Sequence, residues 1–126
     1  MRLKNVLIDV RDLEQAKRFY GELFGLEVAL DGDENVMLTE GLVLQDKKVW
    51  EACLGEEIIS HNNAAELYFE ERDLEGLVEK LKAYGEEIRY ADRLRELPGG
   101  QKLLRFYDPD GHLIEVRTPA EGEAAL

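Results

Sequence analysis

The tetrapeptide Arg-Asp-Leu-Glu occurs twice, at residues 11–14 and 72–75, and the patterns on either side of it are repeated as well. Ahead of the first copy, residues 3–10 alternate as a strand does, with Val6, Ile8 and Val10 on one face and Asn5, Leu7 and Asp9 on the other. Behind it, Leu13, Ala16, Phe19, Tyr20 and Leu23 recur at helical spacing until Gly25 supplies a stop. The second copy follows a strand pattern at 65–70 and opens a stripe of Leu74, Leu77, Val78 and Leu81 that ends at Gly85. In each copy the aspartate, Asp12 or Asp73, stands where a helix needs a side-chain oxygen to accept from its first free N–H groups. A four-residue identity is weak by itself, but its recurrence at the same strand-to-helix junction predicts an internal duplication. The chain is expected to fold as two like units.

The stretches between fill out the pattern. Strands are predicted at 26–30, 35–39 and 42–46, separated by turns at 31–33 and 40–41, so the first half reads β-α-β-β-β. A short helix over 47–55 and a polar stretch over 56–63 separate it from the second half, where a strand starts at Ile88 and residues 92–100 read as a charged loop. The chain then enters a hairpin, 103–107 and 113–116, around Asp108-Pro109-Asp110-Gly111. Pro109 presets its φ, Asp108 can bond the turn backbone, and Gly111 tolerates a positive φ. With a period of two, Leu113, Glu115 and Arg117 share one face of the last strand, and His112, Ile114 and Val116 the other. If the second face packs on a helix, Glu115 points away from it. The expected division is a module at 1–46, a linker at 47–63, a module at 64–118 and a loose tail at 119–126, in an α+β fold.

Charge narrows the partners. The 126 residues carry a formal net charge of −12, which repels phosphate backbones and anionic membranes, so neither nucleic acid nor a membrane surface is an expected partner. No apolar run approaches the roughly 20 residues of a membrane span, and the first ten residues hold too short an apolar run for a secretory leader. Cys53 is the one cysteine, which excludes an internal disulfide or a cysteine-rich zinc site and suits a reducing, cytoplasmic compartment. Its expected role is that of a small buried apolar residue.

Two β-α-β-β-β modules, Val10-Arg-Asp-Leu13 followed by Arg18-Phe-Tyr20 and Phe24-Gly-Leu26, and the closing Phe106-Tyr-Asp-Pro-Asp-Gly-His-Leu-Ile-Glu115 together resemble the vicinal oxygen chelate superfamily of glyoxalase I, bleomycin-resistance proteins and extradiol-type dioxygenases. The resemblance runs from residue 1 to about residue 118. It implies the glyoxalase/bleomycin-resistance fold, with the strands of both modules curled as a mixed sheet around a cavity. It also implies a small-molecule ligand, and a homodimer in which a partner chain can complete the cavity. In metal-binding members the ligands lie on inward strand faces. The family pattern places the first seven residues before the strand-end aspartate, which is Asn5 here and Glu66 in the repeat, and the last at the glutamate of the closing motif, Glu115, matched in the first half by Gln45.

The implied set of Asn5, Gln45, Glu66 and Glu115 departs from the usual His/Glu/His/Glu. All-oxygen donors suit Mg, Mn or Ca better than Zn or Ni. If Glu66 and Glu115 face one enclosed space, their charges cost several kcal/mol each unless balanced, by a cation, by a shared proton, or by a basic group such as Arg105. Tyr68, Trp50 and Arg105 are candidate substrate-binding residues beside them, with core packing the competing role for both aromatics. Two functions follow as expectations. One is a glyoxalase-like lyase, isomerase or dioxygenase in which a divalent metal polarises the substrate and Glu66 or Glu115 moves a proton. The other is a metal-free protein of the bleomycin-resistance type that sequesters a cationic or aromatic small molecule.

Overall fold

The computed structural model describes residues 1–120; the part of the expected C-terminal tail from residue 121 onward lies outside them. The chain divides into two compact units, Met1–Ser60 and a second that begins at His61. Each contains one four-stranded mixed sheet.

The first unit runs β1 (Val6–Val10), α1 (Leu13–Phe24), β2 (Val28–Asp31), β3 (Asn35–Leu38), β4 (Leu42–Asp46) and α2 (Lys47–Leu54). Asp12 caps α1 by accepting from the Gln15 N–H at 3.1 Å, and Gly25 ends it at φ 70°, a left-handed conformation that costs glycine least. The sheet order is β1-β4-β3-β2, with β1 and β4 parallel and the other pairs antiparallel. Ile8, Leu44 and Val36 are in register across three strands and buried, and α1 packs on β3 and β4 with Ala16, Phe19, Tyr20 and Leu23 buried. The opposite face carries the row Asp9, Gln45 and Asn35. Asp46 caps α2 through the Val49 N–H, and α2 folds back onto β4 and β1. Cys53 is exposed on α2, not buried as expected, because no residue of this helix is fully buried and Cys53 borders an open pocket.

The second unit repeats the plan with β5 (Glu66–Glu70), α3 (Leu74–Ala83), β6 (Tyr90–Glu96), β7 (Lys102–Tyr107) and β8 (Leu113–Arg117), in the order β5-β8-β7-β6. Asp73 caps α3 by accepting from the Gly76 N–H at 2.9 Å. Leu74, Leu77 and Leu81 are buried on the helix, and Leu104, Phe106, Ile114 and Val116 on the sheet. The stretch 92–100, expected as a charged loop, is strand through Glu96. Its charges are tolerated there because β6 is an edge strand whose Asp92 stands opposite Arg105 and whose two bulges let the pairing continue.

In the turn between β7 and β8, Asp108 Oδ1 accepts from the N–H groups of Asp110 and His112, both at 2.9 Å, and Gly111 takes φ 87°. The His61 imidazole fills the place a side chain at 111 would occupy. Gly111→Ala is therefore expected to lower Tm by several degrees through both the clash and the left-handed backbone, which costs about 1–2 kcal/mol for an L side chain. Adding His61→Ala should recover the steric part and leave the backbone part. Equal melting of Gly111→Ala and the unaltered chain would refute this account.

Lys102 on β7 donates to Glu75 on α3, and that bond holds the Glu75 carboxyl below its ordinary range and the Lys102 ammonium above its own. A depressed carboxyl contributes stability above its unfolded pKa and loses it as pH falls through the folded one. The Tm difference between the unaltered chain and Glu75→Gln is thus expected to be present at pH 7 and to shrink as pH falls below the ordinary carboxylate range and on through the lowered folded pKa of Glu75. A difference that grows on acidification would be the wrong sign.

Candidate functional site

Glu115 sits on the face of β8 opposite Ile114 and Val116, as the alternation requires, and is 2% exposed. In register across the sheet it is flanked by Tyr68 on β5 and Arg105 on β7, and Arg105 is next to Asp92 on β6, so one row crosses all four strands. Arg105 donates from Nε to Glu115 Oε1 at 2.7 Å and also meets that oxygen through Nη2 at 2.6 Å, while its Nη1 donates to Asp92 Oδ2 at 2.5 Å. Arg117, two residues along β8, donates from Nε to Glu115 Oε2 at 2.8 Å, and its guanidinium lies 5.8 Å from the Tyr68 ring centroid. The Arg105 guanidinium is driven above its ordinary pKa first by its bond to Asp92 and then by Glu115, against the opposing effect of burial. An unpaired carboxylate at this depth would cost several kcal/mol, and the two guanidinium groups supply the compensating charge.

This arrangement bears on metal binding. Both Glu115 oxygens are already engaged, and a divalent ion on either would sit roughly 5 Å from two guanidinium charges. At an effective dielectric constant of about 20, each repels it by on the order of 6 kcal/mol, which together offsets most of what one carboxylate offers. Glu66, exposed on β5, pairs in register with Leu113 and is thus a diagonal neighbour of Glu115, roughly 7–8 Å away between Cα atoms. Among the described residues no three or more His, Cys, Asp or Glu side chains cluster as a metal site would need. The donors around Glu115, as arranged, do not fit a divalent cation.

In the first unit Gln45 is bound as well: its Nε2 donates to the Glu34 carbonyl at 3.1 Å, and Asn35 Nδ2 lies 3.5 Å from its Oε1. Asn5 precedes β1 beside Gly41, four residues before Gln45, which places the two roughly 13 Å apart along the strand direction. Gln45 instead joins Trp50. Together with Leu7, Glu34, Asn35, Val49 and Cys53 they line an open pocket of about 430 Å³ between α2 and the sheet. Its volume lies within the range of small-molecule sites, and its walls combine apolar side chains with two amides and one carboxylate.

The structure thus brings together Tyr68, Arg105 and Glu115 in the second unit and Trp50 and Gln45 in the first. It adds Asp92, Arg117 and Asn35, none of which sequence reasoning assigned to a site. Arg117 was signalled by its sharing a face with Glu115. Asp92 had no such signal, because its partner is thirteen residues distant in sequence and on another strand.

The family model described as a glyoxalase-like domain matches residues 3–121. No curated protein matches the sequence. Among solved structures, a protein of unknown function from Agrobacterium tumefaciens is 28% identical, with 94% of each chain covered and a TM-score of 0.78. A glyoxalase-related enzyme from Fulvimarina pelagi is 23% identical over 99% of this chain and 97% of its own, with a TM-score of 0.78. Lactoylglutathione lyase from Agrobacterium tumefaciens is 23% identical over 93% and 92%, with a TM-score of 0.66. With the two modules, the closing turn and glutamate, and a family match over almost its whole length, the chain belongs to the glyoxalase-like domain family.

Proposed function

We propose that this chain is a small-molecule-binding protein of the glyoxalase-like class, closer in mode to sequestration than to metal-assisted turnover, and that its ligand enters the first-unit pocket beneath α2. The observation that carries this reading is the pocket itself, about 430 Å³ with Trp50, Val49 and Leu7 as its apolar wall and Gln45 and Asn35 as its polar one. A planar, largely apolar molecule with one or two hydrogen-bonding groups matches that lining, because the indole offers a face and the amides offer direction. A cationic ligand is disfavoured because the Glu115 carboxylate is already paired with Arg105 and Arg117. Of the two carboxylates considered as proton carriers, Glu66 is the exposed one, so any proton transfer to a ligand on the second sheet falls to it.

Trp50 is the only tryptophan, so the pocket carries its own reporter. Titration with the neutral dye Nile red is expected to give saturable dye fluorescence accompanied by quenching of Trp50 through energy transfer. Val49→Arg, which fills the pocket from α2, should weaken that binding by tenfold or more without altering the far-UV circular dichroism. Dye binding that Val49→Arg leaves unchanged, or no saturable binding, would count against the pocket as the ligand site.

A further inference from the structure

We infer that Arg105 and Arg117 together stand in for a divalent cation at Glu115, so that a ligand reaching the face of the second sheet opposite Ile114 and Val116 is met by guanidinium N–H groups and no metal ion is required there. The charges balance in the way a divalent ion would balance them. Two positive groups meet one carboxylate on both of its oxygens, at 2.6–2.8 Å, and the second carboxylate of the row, Asp92, holds Arg105 from the other side at 2.5 Å. Unlike an ion, these charges are built into β7 and β8, in the same cross-strand row as the carboxylate or two residues from it, so they arrive as the sheet forms.

The geometry also says what the cluster offers outward. Arg105 spends Nε and both terminal nitrogens on Glu115 and Asp92, whereas Arg117 is bonded to Glu115 through Nε. A guanidinium has N–H donors on all three nitrogens, so the terminal nitrogens of Arg117 retain donors for an oxygen of a ligand, with Tyr68 beside them as a ring surface. Both arginine side chains are 27% exposed while the glutamate they hold is 3% exposed, which is the arrangement of a buried anchor and a presented charge. Glu115 is accordingly a positioning residue: it orients Arg117, whose terminal nitrogens face the ligand, and holds Arg105 beside it. The chemical class this selects is a molecule with a carbonyl, carboxylate or comparable oxygen.

The inference does not depend on the pocket under α2, and Nile red binding can fail without touching it. Its test is a Mn2+ titration of protein first dialysed against a chelator, read by the electron paramagnetic resonance signal of free Mn2+ and by thermal shifts with Mg2+, Ca2+, Zn2+ and Ni2+. No saturable site dependent on Glu115 is expected. A saturable Mn2+ site that disappears in Glu115→Gln would overturn the inference, whereas one that persists in that variant lies elsewhere and leaves it standing. The double variant Arg105→Gln/Arg117→Gln uncovers the carboxylate and is expected to gain Mn2+ affinity by tenfold or more. A folded double variant that gains none would speak against cation mimicry, and if it does not fold the titration of the unaltered protein decides the matter.

Discussion

In both units the first strand pairs parallel with the last, β1 with β4 and β5 with β8. A parallel pair cannot be closed by a tight turn; the chain must travel the length of the sheet and return, and here it does so through a helix and a hairpin. That requirement sets the rest. The crossing helix, α1 or α3, is amphipathic and supplies one buried apolar stripe to the unit. Strand alternation then assigns every second residue to the face the helix does not take. Asp9, Gln45 and Asn35 in one unit and Tyr68, Glu115, Arg105 and Asp92 in the other occupy that face for the same geometric reason.

The two faces have diverged in how they keep polar groups content. Beside the buried Asp9, the first unit uses neutral amides, Asn35 and Gln45, which bond to backbone and to each other without needing a counter-charge of their own. That leaves room for α2 to fold over the sheet beside an open pocket. The second unit uses ionised groups, and a buried carboxylate calls for positive partners close by. The arginines that answer fill the equivalent stretch of sheet with their own long side chains. One repeated plan thus yields a face with a pocket lined by amides and a face crossed by ion pairs.

Much of this was legible in the sequence, and the parts that were not share a cause. Helix ends were readable because Asp12, Asp73, Gly25 and Gly55 act locally, through caps and a left-handed backbone. The orientation of Glu115 away from the core followed from counting by two. Pairings between distant residues were not readable. Asp92 looked like loop because a charged stretch without alternation carries no mark of the strand it will join, and only Arg105 across β7 makes sense of it. With Asn5 matched to Glu66 by the offset of the repeat and Gly41 to Gly111, Val6 aligns with Leu42 while its counterpart Leu67 aligns with Ile114, not His112. The parallel register has slipped by two residues between the copies, which preserves the facing side and changes the neighbour.

The row through Glu115 has a bearing on how the β7–β8 hairpin finds its alignment. Shifting β8 by one position would turn both Glu115 and Arg117 in among Leu104, Phe106 and the helix side while leaving the Arg105 guanidinium facing Ile114 or Val116. Such a mispaired hairpin would carry two charged side chains into the apolar layer and part Arg105 from Glu115, so it has an electrostatic handicap that an all-apolar sheet would lack. The ion cluster therefore works as a key for strand alignment, discriminating among candidate pairings as the chain collapses.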